Sequence, residues 1–144
     1  MDRPPRWGGA GRRPRSSAWP PDSAVEALRQ GGNAVDATVT AAAVLGVTEP
    51  FSAGIGGGGF MVVYRADGGL VTTVDHRETA PAAMRPDSFL ENDRPLPFDD
   101  ARFSGLSVGV PGTVAGWATA LDRYGTFSLG RAYARPPTWR LGAS

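Results

Sequence analysis

Cysteine is absent from the 144 residues. That excludes a disulfide framework, a thiolate metal site and a cysteine nucleophile. Lysine is absent too, so all 15 basic residues are arginine. The single histidine, His76, rules out a His-pair zinc site and makes any Ser-His-Asp triad depend on that one residue. No apolar run reaches the roughly 18–20 residues of a membrane span. The arginine-rich start resembles a signal n-region, but Trp19, Pro20, Pro21 and Asp22 interrupt any apolar stretch after it. The chain therefore reads as soluble, with neither a span nor a signal peptide, and its location stays unassigned.

What is present suits one folded domain: 41% hydrophobic and 20% charged residues, with a heavy load of 20 glycines and 13 prolines. The net charge of +1 conceals a segregation. Residues 1–15 hold five arginines against Asp2, and residues 130–144 hold three with no acid. The middle, 16–129, holds seven arginines against thirteen acids. Three of the four tryptophans (Trp7, Trp19, Trp139) also lie in the ends, without apolar periodicity around them. The ends suit either nucleic-acid arms or sequence foreign to the fold, mis-started or frame-shifted. Residues 1–21 are expected to be disordered.

The pattern predicts a first helix from Asp22 or Ser23, with Ser23 and Glu26 as a capping box and Gly31-Gly32 as its stop. Asn33 then caps a second helix that closes at Gly46. Apart from Asp36 it is small or apolar on every side, the pattern of a helix buried in a larger body. Two strand-like runs, 60–64 and 70–74, flank Asp67-Gly68-Gly69 and read as a hairpin. The first run is apolar on both faces, which calls for a layer on each side. Residues 75–103 include a polar, proline-rich stretch expected to be a long surface loop. A third helix is predicted over about 113–123, with Thr113 at its N-cap and Gly125 after it.

Gly54-Ile55-Gly56-Gly57-Gly58-Gly59 satisfies G-x-G-x-x-G literally, but a dinucleotide site needs a strand before the glycines and a helix after. Here the order is reversed. The glycines instead imply a backbone that packs very closely on a neighbour, or takes positive φ, just before a core strand. Asp75-His76-Arg77-Glu78-Thr79-Ala80-Pro81 stands at the exit of the second strand, a common place for functional side chains. Arg77 can present a planar fork to a carboxylate. On spacing alone, a solvated surface pair of Arg77 with Glu78 or Asp75 is the better account of the cluster, because charge clusters are usually solvated. His76 reads as structural.

Together, GGNAVDATVTAAAVLGVTEPFSAGIGGGGFMVVY, VDHRETAP and GVPGTVAGWATALDRYGT closely resemble the N-terminal part of the gamma-glutamyltranspeptidase family, in that order and spacing. The resemblance covers about residues 22–129; the basic segments 1–21 and 130–144 lie outside it. It implies an α/β (α+β) fold, a partial N-terminal-nucleophile hydrolase αββα sandwich that is incomplete in this chain. It implies a precursor that cuts itself into two subunits, whose freed N-terminal threonine attacks the γ-glutamyl amide of a compound such as glutathione. The acyl group then passes to water, an amino acid or a peptide, with the threonine's own amine as base and no cofactor or metal. The Thr-Thr-His-type context of that nucleophile does not occur here, so no catalytic residue is expected in this chain. Arg77 matches the arginine that holds the substrate's α-carboxylate, while His76 stands where an aromatic or small residue is common. The partners implied are a γ-glutamyl compound and the small subunit or remainder of the chain, with no nucleic acid. The family is usually periplasmic, secreted or at the cell surface. A stand-alone carboxylate-binding module is the alternative, and a related acylase shares the scaffold.

Overall fold

The computed structural model describes residues 20–134. The basic segments 1–19 and 135–144, with the expectations attached to them, lie outside the described residues. Six helices and two hairpins follow in the order α1 (Pro20–Arg29), α2 (Ala34–Thr48), a single-turn α3 (Pro50–Ala53), β1 (Phe60–Arg65), β2 (Leu70–Asp75), β3 (Leu90–Glu91), β4 (Arg94–Pro95), α4 (Phe98–Arg102), α5 (Thr113–Tyr124) and α6 (Leu129–Tyr133).

Helix α1 reaches back to Pro20, which corrects the expected capping box. Proline is tolerated in a first turn because those amides are orphans anyway. Ser23 therefore falls inside the helix, fully buried, rather than capping it. Helix α2 starts where expected: the Asn33 side chain accepts from the Val35 and Asp36 amides, and the Asp36 carboxylate accepts from the Asn33 amide. It runs through Gly46 to Thr48, two residues past the expected stop. Pro50 ends it, since the residue before a proline is pushed out of helical geometry, and Glu49 indeed leaves the helix at ψ 57°.

The core has two parts around α2. Val39 packs with Trp117 and Leu121 of α5 and Ala132 of α6, and Met61 of β1 closes on the same cluster. On the other flank Ala37 meets Ala27 of α1 and Phe127. β1 and β2 pair antiparallel with Phe60 opposite Asp75 and Tyr64 opposite Val71. Met61, Val63, Thr72 and Val74 thus turn inward. Phe60, Val62 and Tyr64 turn outward at 63%, 69% and 67% exposure, beside an exposed Val71. The expected stretch of loop at 75–103 carries more structure than its composition suggested. Asn92 and Asp93, both at positive φ, close the β3–β4 hairpin as a two-residue turn, and α4 follows. Gly112, not Thr113, holds the N-cap position of α5, without a side-chain bond, and Thr113 is the buried first residue.

The outward face of the hairpin is a contiguous apolar surface, and such faces drive association. The isolated chain is expected to bind a hydrophobic dye and to self-associate with concentration. Val62→Lys with Tyr64→Lys should suppress both. Unchanged light scattering and dye fluorescence in that double variant would show that this face is not responsible.

Candidate functional site

The segment from Asp75 to Thr79 leaves β2 and is gripped from two sides. The β1–β2 ladder runs one pair beyond the named strands: His76 donates to the Gly59 carbonyl at 2.9 Å, and Gly59 donates back at 3.2 Å. On the other side the start of α5 is tied to the glycine loop, because the amides of Gly112 and Thr113 both donate to the Gly57 carbonyl, at 3.0 and 3.1 Å. Thr79 and Val110 complete the knot with an antiparallel bridge.

The glycines earn their place by close approach. A Cβ on Gly58 would sit 2.5 Å from the His76 carbonyl oxygen and 2.7 Å from the Glu78 nitrogen. One on Gly112 would run into the same His76 carbonyl. Of the two expectations for the glycine-rich loop, close packing therefore holds, and none of Gly54–Gly59 takes positive φ. The strand-exit peptide is clamped between two backbones, neither of which can carry a side chain.

Strand alternation then separates the side chains. His76 turns inward after Val74, and Arg77 turns out. The Arg77 amide donates to Oδ1 of Asp75 at 3.0 Å, which fixes the turn out of the strand. Its side chain is 68% exposed, and Nε lies 3.5 Å from Oε2 of Glu78, an ion pair without a hydrogen bond. That Glu78 oxygen is buried and has no hydrogen-bond partner among the described residues, and the same holds for Nδ1 of His76. Arg77 stands at the edge of a cleft of about 350 Å³ whose walls include Glu78, Met84, Phe89, Leu106 and Val108. The arrangement offers a cation with unused donors beside a partly apolar cleft, suited to binding a carboxylate rather than to bond-making.

A second cluster joins residues about 90 positions apart in the sequence. Asp36, fully buried, accepts from the Thr126 amide and hydroxyl (2.9 and 2.8 Å) and from the Phe127 amide (2.9 Å), besides its bond within the cap. Asn33 Nδ2 donates to the Tyr124 carbonyl at 2.7 Å. Burial pushes the Asp36 carboxyl up, but the donors of Asn33, Phe127 and Thr126 outweigh it and hold it below the usual carboxylate range. The one signal in the sequence was an acid in an otherwise apolar helix. The cluster welds the start of α2 to the α5–α6 turn, and its Asn33, Tyr124 and Thr126 form part of a cleft wall. That cleft measures about 420 Å³, but its Arg65 is already paired with Asp67. Among the described residues no group of three His, Cys, Asp or Glu could hold a metal ion, and no helix is long and apolar enough to cross a membrane.

Comparison with known proteins places the chain in a family. The family model described as Gamma-glutamyltranspeptidase matches residues 22–136. The glutathione hydrolase proenzyme of Bacillus subtilis (strain 168) is 50% identical over 105 residues, 72% of this chain and 18% of that protein. The Escherichia coli (strain K12) glutathione hydrolase proenzyme is 45% identical over 107 residues, 74% of this chain and 18% of that protein. Among solved structures, the gamma-glutamyltranspeptidase of Pseudomonas nitroreducens complexed with L-DON superposes with a TM-score of 0.74 at 37% identity. It covers 87% of this chain and 36% of that one. The chain thus spans less than a fifth of the length of these curated relatives, and the fold is the α/β fold of these structures, seen in part.

Proposed function

This chain belongs to the gamma-glutamyltranspeptidase family, and from that premise we propose that it is the N-terminal part of a glutathione hydrolase/γ-glutamyltransferase large subunit, with Arg77 as its substrate-binding residue. The observation that carries the reading is the setting of Arg77. Its backbone is clamped between Gly58 and Gly112, and its guanidinium projects to a cleft with only a 3.5 Å ion pair to Glu78. A guanidinium presents parallel N–H donors in a fixed fork that matches a carboxylate. Held by a rigid strand exit, it can fix the α-carboxylate of a γ-glutamyl compound and so orient the amide for attack.

The nucleophile belongs elsewhere. The resemblance calls for a threonine freed by self-cleavage, whose own amine activates its hydroxyl, and no Thr-Thr-His run occurs in these 144 residues. On this reading the chain is a substrate-binding part without the nucleophile, and its partners are the remainder of the enzyme and a γ-glutamyl donor.

Exchange of residues 22–134 for the matching stretch of the Bacillus subtilis relative tests this. The chimaera is expected to cut itself into two subunits and to turn over a chromogenic γ-glutamyl anilide. The 144-residue chain alone should do neither. A folded, cleaved chimaera without turnover, or turnover by the purified chain itself, would reject the reading.

A further inference from the structure

We infer that His76 is a positioning residue for Arg77, its ring wedged into the missing side chain of Gly116 so that bulk at 76 and its absence at 116 together set the aim of the guanidinium. The inference rests on the proposed role of Arg77. Glycine is a poor helix former next to alanine, yet Gly116 sits buried within α5. Its reason is the histidine: a Cβ built there would collide with Cβ and Cγ of His76 and lie 2.7 Å from Cδ2. The far edge of the ring meets the hairpin, since a Cβ on Gly59 would lie 3.3 Å from Cε1.

The ring is held by shape. Its Nδ1 is buried without a hydrogen-bond partner among the described residues. The peptide that joins His76 to Arg77 has no slack, because its carbonyl oxygen already touches the backbones of both Gly58 and Gly112. Any force that lifts the ring off α5 must therefore rotate or shift that peptide, and Arg77 turns with it. Misplacement of a substrate-holding group by about 1 Å costs on the order of 100-fold.

The test uses the complete self-cleaving chimaera. Gly116→Ala is expected to raise KM for the γ-glutamyl anilide about 10- to 100-fold with kcat within about twofold, because binding geometry is lost and the nucleophile is not. His76→Ala combined with Gly116→Ala should recover most of that loss, since the new methyl group then occupies the space of the ring. His76→Phe, which keeps the planar bulk, should leave KM within about threefold of the parent. If Gly116→Ala prevents folding, as judged by failure to self-cleave, the His76 variants alone decide. His76→Ala must then raise KM and His76→Phe must preserve it. An unchanged KM in Gly116→Ala, or an additive loss in the double variant, overturns the positioning role while Arg77 keeps its own. If Arg77→Ala itself leaves KM unchanged, the proposed function has failed instead.

Discussion

Arg77→Ala in the complete enzyme is expected to raise KM for γ-glutamyl substrates by a factor of about 30 to several thousand, with a smaller change in kcat. The range corresponds to about 2–5 kcal/mol, the cost of leaving a desolvated carboxylate without its charged partner. The upper end requires the remainder of the enzyme to cover the Arg77 side chain, which is two-thirds exposed in this chain. Arg77→Lys should restore only part of the affinity, because an ammonium is a point charge and cannot reproduce the two parallel bonds. Initial rates with the anilide, and inhibition by free glutamate, read both effects. Unchanged KM and kcat in the alanine variant would remove Arg77 from the binding site.

Asp36→Ala is expected to destabilise the chain by about 3–5 kcal/mol, comparable to breaking a buried ion pair. The buried Phe127 amide and the amides of Thr126 and Asn33 would all lose their acceptor. Asp36→Asn should cost less, since one oxygen remains to accept. The carboxyl is held below its usual value in the folded state. Its contribution is therefore complete above the unfolded value of about 3.9 and falls away as pH drops through the folded value. Urea melts between about pH 5 and pH 2 should show this slope in the parent and not in Asp36→Asn. Amide exchange at Thr126 and Phe127 should accelerate in Asp36→Ala. If protection at those two amides is unchanged, the weld between α2 and the α5–α6 turn is not carried by the carboxylate.

The Asn33 cap was legible because it is a local signal: an asparagine before an apolar run with an acid three residues on. The hairpin showed in its alternation and its glycine turn. The glycines before β1 announced a close approach, yet nothing local could say that the neighbour would be the peptide of Arg77, about twenty residues later. Asp36 is the sharper case. Its helix-capping partner lies three residues away and its other partners lie 90 and 91 residues away, a distance over which periodicity carries no information. Local signals also misled. Ser23 and Glu26 have the spacing of a capping box, but burial of Ser23 against the rest of the fold overrode it. Around Asn92-Asp93 a polar composition concealed a tight turn, since these residues favour loops and left-handed backbone alike. Arg77 stood out through its resemblance to a family motif and not through any local periodicity.

The bond from Asp36 to Thr126 and Phe127 also has a consequence in time. A ribosome adding about 5–20 residues per second completes Phe127 roughly 5–18 s after Asp36. Throughout that interval α2 carries a carboxylate on the face that is to be buried, with only its own N-cap amide to receive it. The emerging chain therefore has an electrostatic reason to delay docking of the α2 start until the α5–α6 turn arrives. The start of α2 can therefore be welded in place only after the α5–α6 turn has been made.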